Sequence, residues 1–291
     1  MNADDIGQRK ELAHKRVSHL HNLRNSFGEN WLRPQIDELS FDKDGEVIGH
    51  PLIFLLSRKS LEKSELESEL QIIASQSPSL EMWCRYTRLS SFFEPPLQLF
   101  ELNENLGILS NQQKVGRFIE KARGPNQFWN TLSEIEIAGY LMKQNKLVEI
   151  EPKVEVQGGY KTPDLLARFN DREIYVEVFT PQPDEKLADA TNEMRAIALE
   201  NRLRNQLEEK IYQIPDGKTS ILAINSAYSL QDAIHLEDAI KGTFAVSFIP
   251  NSNIEPELGH LDDGLRNSRR LRNLRGVVMY RRSFDLKGLA T

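Results

Sequence analysis

The sequence predicts an α/β protein, with a mixed central sheet flanked by helices and a mainly helical amino-terminal extension. Three observations predict it. Residues 1–115 are rich in Leu, Glu, Lys and Ser and read as helices broken by loops. From about 125 to 225, helix-period and strand-period segments follow in the order helix, three strands, helix, strand. The helix before the last of these strands is long enough to serve as a crossover, which makes the sheet partly parallel.

Element by element, Leu61–Ala74 is a helix with Ser60 as its N-cap, carrying Leu61, Leu66, Leu70 and Ile73 at near-helical intervals. Glu94-Pro95-Pro96 interrupts whatever precedes it. Gln127–Asn145 is a helix with Phe128, Leu132, Ile135, Gly139 and Met142 on one narrow apolar stripe and Asn145 as terminator. A strand over Val148–Val156 is followed by a Gly158-Gly159 turn. Strands over Asp164–Phe169 and Glu173–Thr180 flank Asn170-Asp171. A long helix covers Asp189–Tyr212 and stops at Pro215 and Gly217. Thr219–Asn225 is a buried strand. A short helix at Asp232–Ile240, a strand at Phe244–Ile249, a loop over Asn251–Asp263 and a strand at Gly276–Tyr280 complete the reading.

Composition narrows the function classes. With 291 residues the chain is one large or two modest domains, at about 100–200 residues per domain. Its 39% hydrophobic and 27% charged content is that of a globular protein. No apolar run approaches the roughly 18 residues of a membrane span, and the first residues have no secretory pattern. Cys84 is the single cysteine, which excludes internal disulfides and any zinc site built on two thiolates. A soluble, cytoplasmic protein is expected. The net charge of -6 does not advertise nucleic acid, yet Arg266–Arg282 holds seven arginines and no carboxylate. Such a cluster can contact phosphates or form a solvated, paired face.

The sharpest inference comes from register. If Asn170-Asp171 closes a two-residue hairpin, paired residues have numbers summing to 341. Arg168 then faces Glu173, and Asp164 faces Glu177. Like charges directly opposed in a sheet are destabilising. A raised pKa, a nearby cation or a bound divalent metal can offset the repulsion. Glu177 lies among Ile174, Val176, Val178 and Phe179, where solvation alone is insufficient. Mg2+ held by two carboxylates and waters fits, and so does a pair answered by Lys161, Lys186 or an arginine.

Gln127–Pro181 resembles the PD-(D/E)XK nuclease-like superfamily, which has the restriction-endonuclease-like fold. The matching pieces are the helix with Ser133-Glu134-Ile135-Glu136-Ile137-Ala138, the pair Pro163-Asp164, and Val176-Glu177-Val178. The resemblance divides the chain into a helical region, 1–115, and an α/β domain, 116–291. It implies a Mg2+ (or Mn2+) ion held by Asp164, Glu177 and a helix acid, Glu136 with Glu134 in reserve, hydrolysing DNA. Glu136 lies about 80° from the centre of the apolar stripe and Glu134 about 120°, at 100° per residue. The family's lysine position holds Phe179 here, which cannot orient water. Lys161 is the first candidate replacement, with a kink at Pro163 turning it toward Asp164; Lys186, Arg195 and Lys210 are others. Arg266, Arg269, Arg270, Arg272 and Arg275 are the candidate phosphate contacts. Expected partners are DNA and a second copy of the chain, with no membrane. The alternative is a nuclease-fold protein without catalysis, acting as a nucleic-acid-binding or protein-interaction module.

Other constellations are weaker. Gly159-Tyr160-Lys161-Thr162 lacks the earlier glycine of a phosphate loop, and Pro163 stands where a helix should start. His14, His19 and His21 read as a polar helix surface, and no G-x-S-x-G occurs. Paired acids also suit a retaining glycosidase, but 8% aromatic content gives little for a sugar to stack on. Trp31, Trp83 and Trp129 read as core residues.

Overall fold

The computed structural model describes residues 3–41, 47–58, 95–180, 204–205, 207–225, 244–247, 257–260 and 274–280. The helices expected at 61–74 and 232–240 lie outside these residues, as do Trp83, Lys186, Arg195, Arg266, Arg269, Arg270 and Arg272. The chain divides into two compact units. One comprises residues 1–152 with 164–173, the other 153–163 with 174–291. The architecture is mixed α/β. Its main sheet has five strands, in the spatial order Leu274–Tyr280, Ser220–Asn225, Arg172–Phe179, Leu165–Phe169, Leu147–Ile150.

The first unit is led by helices α1 (Ala3–His19), α2 (His21–Phe27), α3 (Glu29–Asp37), α4 (Pro51–Ser57), α5 (Pro95–Leu109), α6 (Val115–Ala122) and α7 (Phe128–Lys143). A two-residue strand pair, β1 (Ser40–Phe41) with β2 (Val47–Ile48), precedes α4. Pro51 stands at the start of α4, where its missing N–H costs nothing. At the other end, Arg16 Nη1 donates to the carbonyls of Leu55, Leu56 and Arg58, placing a cation on the negative end of the helix. Leu23, Phe27, Leu52, Leu99, Phe118, Phe128 and Ile135 are buried in the core that these helices share.

Helix α7 packs on both α5 and α6 and touches β3. Phe128, Leu132, Ile135 and Gly139 are buried as the stripe predicts, while Met142 is half-buried. The buried arc is wider than a narrow stripe, taking in Thr131, Ser133 and Glu134. Neighbours on several sides bury those polar groups, which periodicity alone cannot foresee. The helix ends in a Schellman arrangement: Lys146 N–H donates to Leu141 O at 2.8 Å and Asn145 N–H to Met142 O at 2.9 Å. Asn145 takes the left-handed φ of 53° that this cap needs.

The strand expected over Val148–Val156 is two strands, β3 (Leu147–Ile150) and β4 (Val154–Val156). Glu151 at φ 47° turns the chain, and Pro152 has no N–H for a ladder. β3 pairs antiparallel with β6 (Leu165–Phe169), Ile150 opposite Leu165. The turn after β6 has Asn170 at φ 46° and Asp171 at φ 63°, the positive pair of a type I′ hairpin. Arg168 Nη2 lies 3.2 Å from Glu173 Oε1 across that turn. This is the pairing the count of 341 requires.

In the second unit, β4 and β5 (Gly159–Lys161) form a hairpin through Gly158 at φ 95° and Gly159 at φ 150°. β7 (Arg172–Phe179) runs parallel to β8 (Ser220–Asn225), and β8 parallel to β11 (Leu274–Tyr280). The sheet is therefore mixed. The helical residues 207–213 are the described end of the crossover between β7 and β8. Their Leu207 and Ile211, with Ile214, pack on Phe179, Leu222 and Ile224. The segment expected as a loop over Asn251–Asp263 contains β10 (Glu257–His260), which pairs antiparallel with β9 (Phe244–Ser247). Its Glu-Leu-Gly-His sequence has no β-branched residue and only one strong apolar side chain, so the strand depends on its partner.

Candidate functional site

Two groups of buried acids are built, one in each unit. The first gathers on α6. Arg117 and Lys121 are four residues apart and share one face of that helix. Lys121 Nζ lies 3.2 Å from Glu134 Oε2 and 2.7 Å from Glu151 Oε1. Asn130 Nδ2 donates to the other Glu134 oxygen at 2.7 Å, from one turn earlier on α7. Arg117 Nη1 holds the second Glu151 oxygen at 3.0 Å. The break after β3 delivers Glu151, and its N–H donates to the Asp164 carbonyl at 2.8 Å. Asp164 is buried immediately ahead of β6.

The electrostatics follow from this packing. Burial by itself would lower the pKa of the Lys121 ammonium; Glu134, the hydrogen bond to Glu151, and Asp164 outweigh it and hold the group above its ordinary range. Burial pushes the Glu151 carboxyl up, but hydrogen bonds and charge from Lys121 and Arg117 leave it below its ordinary value. Glu134 and Glu151 thus share the Lys121 ammonium.

The second group centres on Glu177, only 1% exposed on β7. Lys210 Nζ lies 3.4 Å from its Oε2 and also 3.4 Å from Gln213 Oε1. Phe179, two residues on and so on the same side of the strand, is covered by Leu207, Ile211 and Ile214. One helix therefore buries Phe179 and presents an ammonium beside Glu177. Lys161 is engaged elsewhere: its Nζ donates to Ile214 O at 2.7 Å and lies 5.2 Å from the Tyr212 ring centre.

Glu136 is half-buried on α7, about 200° around the helix from Glu134. The structure brings Glu134, and not Glu136, to Lys121. Arg275 is exposed on β11. Trp31 and Trp129 are half-buried; His19 and His21 are exposed, while half-buried His14 meets Asp37 at 3.0 Å. Glu151 and Lys121 escaped the sequence reading. Glu151-Pro152 inside a strand-like run was a usable signal of a break. Nothing in the residues around Lys121 marks it.

Glu134, Asp164 and Glu177 are anionic oxygen donors in buried settings, the donor class that hard divalent cations take. Among the described residues, no three His, Cys, Asp or Glu side chains are grouped as ligands for one ion. Lysine supplies the compensating charge in both groups. Compared with family models, curated proteins and solved structures, the chain has no match at any of the three levels. Among the described residues, no helix is long and apolar enough to cross a membrane.

Proposed function

We propose that the protein is a metal-dependent nuclease of the PD-(D/E)XK type, with the restriction-endonuclease-like fold, hydrolysing DNA phosphodiester bonds. The observation that carries this reading is Lys210 beside buried Glu177, because it supplies the ammonium that Phe179 cannot. Further support comes from the hairpin register at Arg168 and Glu173; the same count takes Asp164 to the position opposite Glu177. On this reading Asp164, Glu177 and a helix carboxylate would hold Mg2+ or Mn2+. Glu134 is the better helix acid, since it is buried and Glu136 only half-buried. A divalent ion so placed supplies charge neutralisation at the phosphodiester and acidity to an attacking water. Lys210 orients that water or steadies the charge developing on the phosphate. The arginines at 266–275 grip the flanking phosphates.

A sensitive plasmid-nicking assay with Mg2+ or Mn2+ tests the proposal. Lys210→Met and Glu177→Ala should each lower the rate by about 10²–10⁴-fold, and Asp164→Ala comparably. Nicking that is equal in wild type and in the two alanine variants removes the catalytic assignment.

A second reading has its own support: each acid group already carries an ammonium from the chain itself. On that basis the protein is a nuclease-fold module that binds nucleic acid or protein without catalysis. DNA retention with no nicking under either metal selects this reading.

A further inference from the structure

We infer that Lys161 is a positioning residue for Lys210, acting through the carboxyl end of the helix from which Lys210 reaches Glu177. Its effect on the reaction rests on the nuclease reading, which it deepens by a residue that works through Lys210. The helical residues 207–213 end because Pro215 has no N–H to continue the ladder, and Gly217 at φ 72° turns the chain. Ile214 N–H closes on Ile211 O at 3.2 Å, and Ile214 is only 2% exposed. Its carbonyl lies past the last helical turn, where a buried acceptor needs a donor from elsewhere. Lys161, the last residue of β5, provides one: its Nζ donates to Ile214 O at 2.7 Å. An ammonium there also suits the negative end of the helix. Lys161 stands opposite buried Val154 in the hairpin. Directly opposed residues point to one side of a strand pair, so Lys161 leaves the hairpin from its covered side.

Lys210 sits one turn before Ile214. Its Nζ is shared between Glu177 Oε2 and Gln213 Oε1, each at 3.4 Å. Both contacts are long, and a flexible four-carbon stem holds an ammonium only loosely. Where the ammonium stands relative to Glu177 therefore depends on the turn that carries it. That turn is held on one side by Ile211 and Ile214, in the cluster with Phe179 and Leu222, and at its end by Lys161. Removing the Lys161 donor leaves the Ile214 carbonyl unpaired in a buried setting. The last turn then frays, and the Lys210 ammonium is free to leave Glu177.

The test compares wild type, Lys161→Met and Lys161→Arg in the full chain. Amine labelling read by mass spectrometry should find Lys210 severalfold more reactive in Lys161→Met than in wild type. Lys161→Arg keeps a cationic donor and should stay close to wild type. Lys121, held by Glu134 and Glu151, serves as the control and should not change. In the nicking assay Lys161→Met should lower kcat by about 10–10²-fold with KM for the plasmid within about twofold, and Lys161→Arg should recover most of the loss. Unchanged Lys210 labelling in Lys161→Met overturns the inference. So does a rise in KM at unchanged kcat, which makes Lys161 a DNA contact, or a matching rise in Lys121 labelling, which marks general loosening. If wild type does not nick DNA while Lys161→Met still exposes Lys210, the nuclease reading fails and the clamp on Lys210 stands. Should Lys161→Met not fold, Lys161→Gln decides: its amide keeps a donor without the charge and should give Lys210 intermediate labelling, whereas wild-type labelling overturns the inference.

Discussion

His50 uses both ring nitrogens inside the first unit. Its Nδ1 accepts the Leu52 N–H at 3.1 Å, capping α4, and its Nε2 donates to the Ala122 carbonyl at 2.9 Å. Trp31 and Phe128 stand edge-on to the ring at 5.0 and 5.2 Å. Burial lowers the imidazole pKa to about 4, only partly countered by the backbone hydrogen bonds. The folded value thus lies below the unfolded one, and the unfolded chain binds the extra proton in between. Stability is fully present above about pH 6.5, declines as pH falls toward 4, and then levels. The loss from this residue is on the order of 2–3 kcal/mol. Urea unfolding at pH 7 and pH 4.5 should show it in wild type and not in His50→Gln. An equal pH-dependent loss in both would remove His50 as its source. The pH dependence therefore belongs to a residue remote in sequence from the candidate acids.

At the scale of elements, the α5–α7 crossing depends on a missing side chain. A Cβ at Gly139 would lie 2.4 Å from Asn105 Oδ1 and 3.1 Å from Asn105 Cβ. Alanine at this helical position gains about 1 kcal/mol of intrinsic propensity, but the overlap involves more than the mobile end of Asn105. Gly139→Ala should cost about 1–3 kcal/mol net, and Asn105→Ala in the same chain should recover part of it. A more stable Gly139→Ala protein would show that the helices simply part. The elements themselves were largely legible. Asn145, Asn170-Asp171 and Gly158-Gly159 are residues that tolerate positive φ, and each marks a boundary where it was expected. Less legible were the break at Glu151-Pro152 and the strand at Glu257–His260, whose conformations depend on tertiary partners more than on their own residues.

For the whole molecule, the total charge of -6 and the arginine-rich 266–282 segment pull in opposite directions. If that segment grips phosphates, DNA binding should weaken steeply with salt, at a slope of about 0.9 per neutralised phosphate. Replacing Arg269, Arg270, Arg272 and Arg275 together by Gln should flatten that slope and weaken binding uniformly across sequences. An unchanged slope would move the contact surface elsewhere. The sequence by itself determined the α/β class, the turn residues and the hairpin count that pairs Arg168 with Glu173, because these depend on backbone preference and periodicity along neighbouring residues. Only the tertiary structure decided which charge answers which acid. Lys121 reaches Glu134 and Glu151 from another helix, and Lys210 reaches Glu177 from the far end of a crossover. An ammonium on a four-carbon stem can serve any carboxylate within several ångströms, so its choice is written in packing and not in spacing.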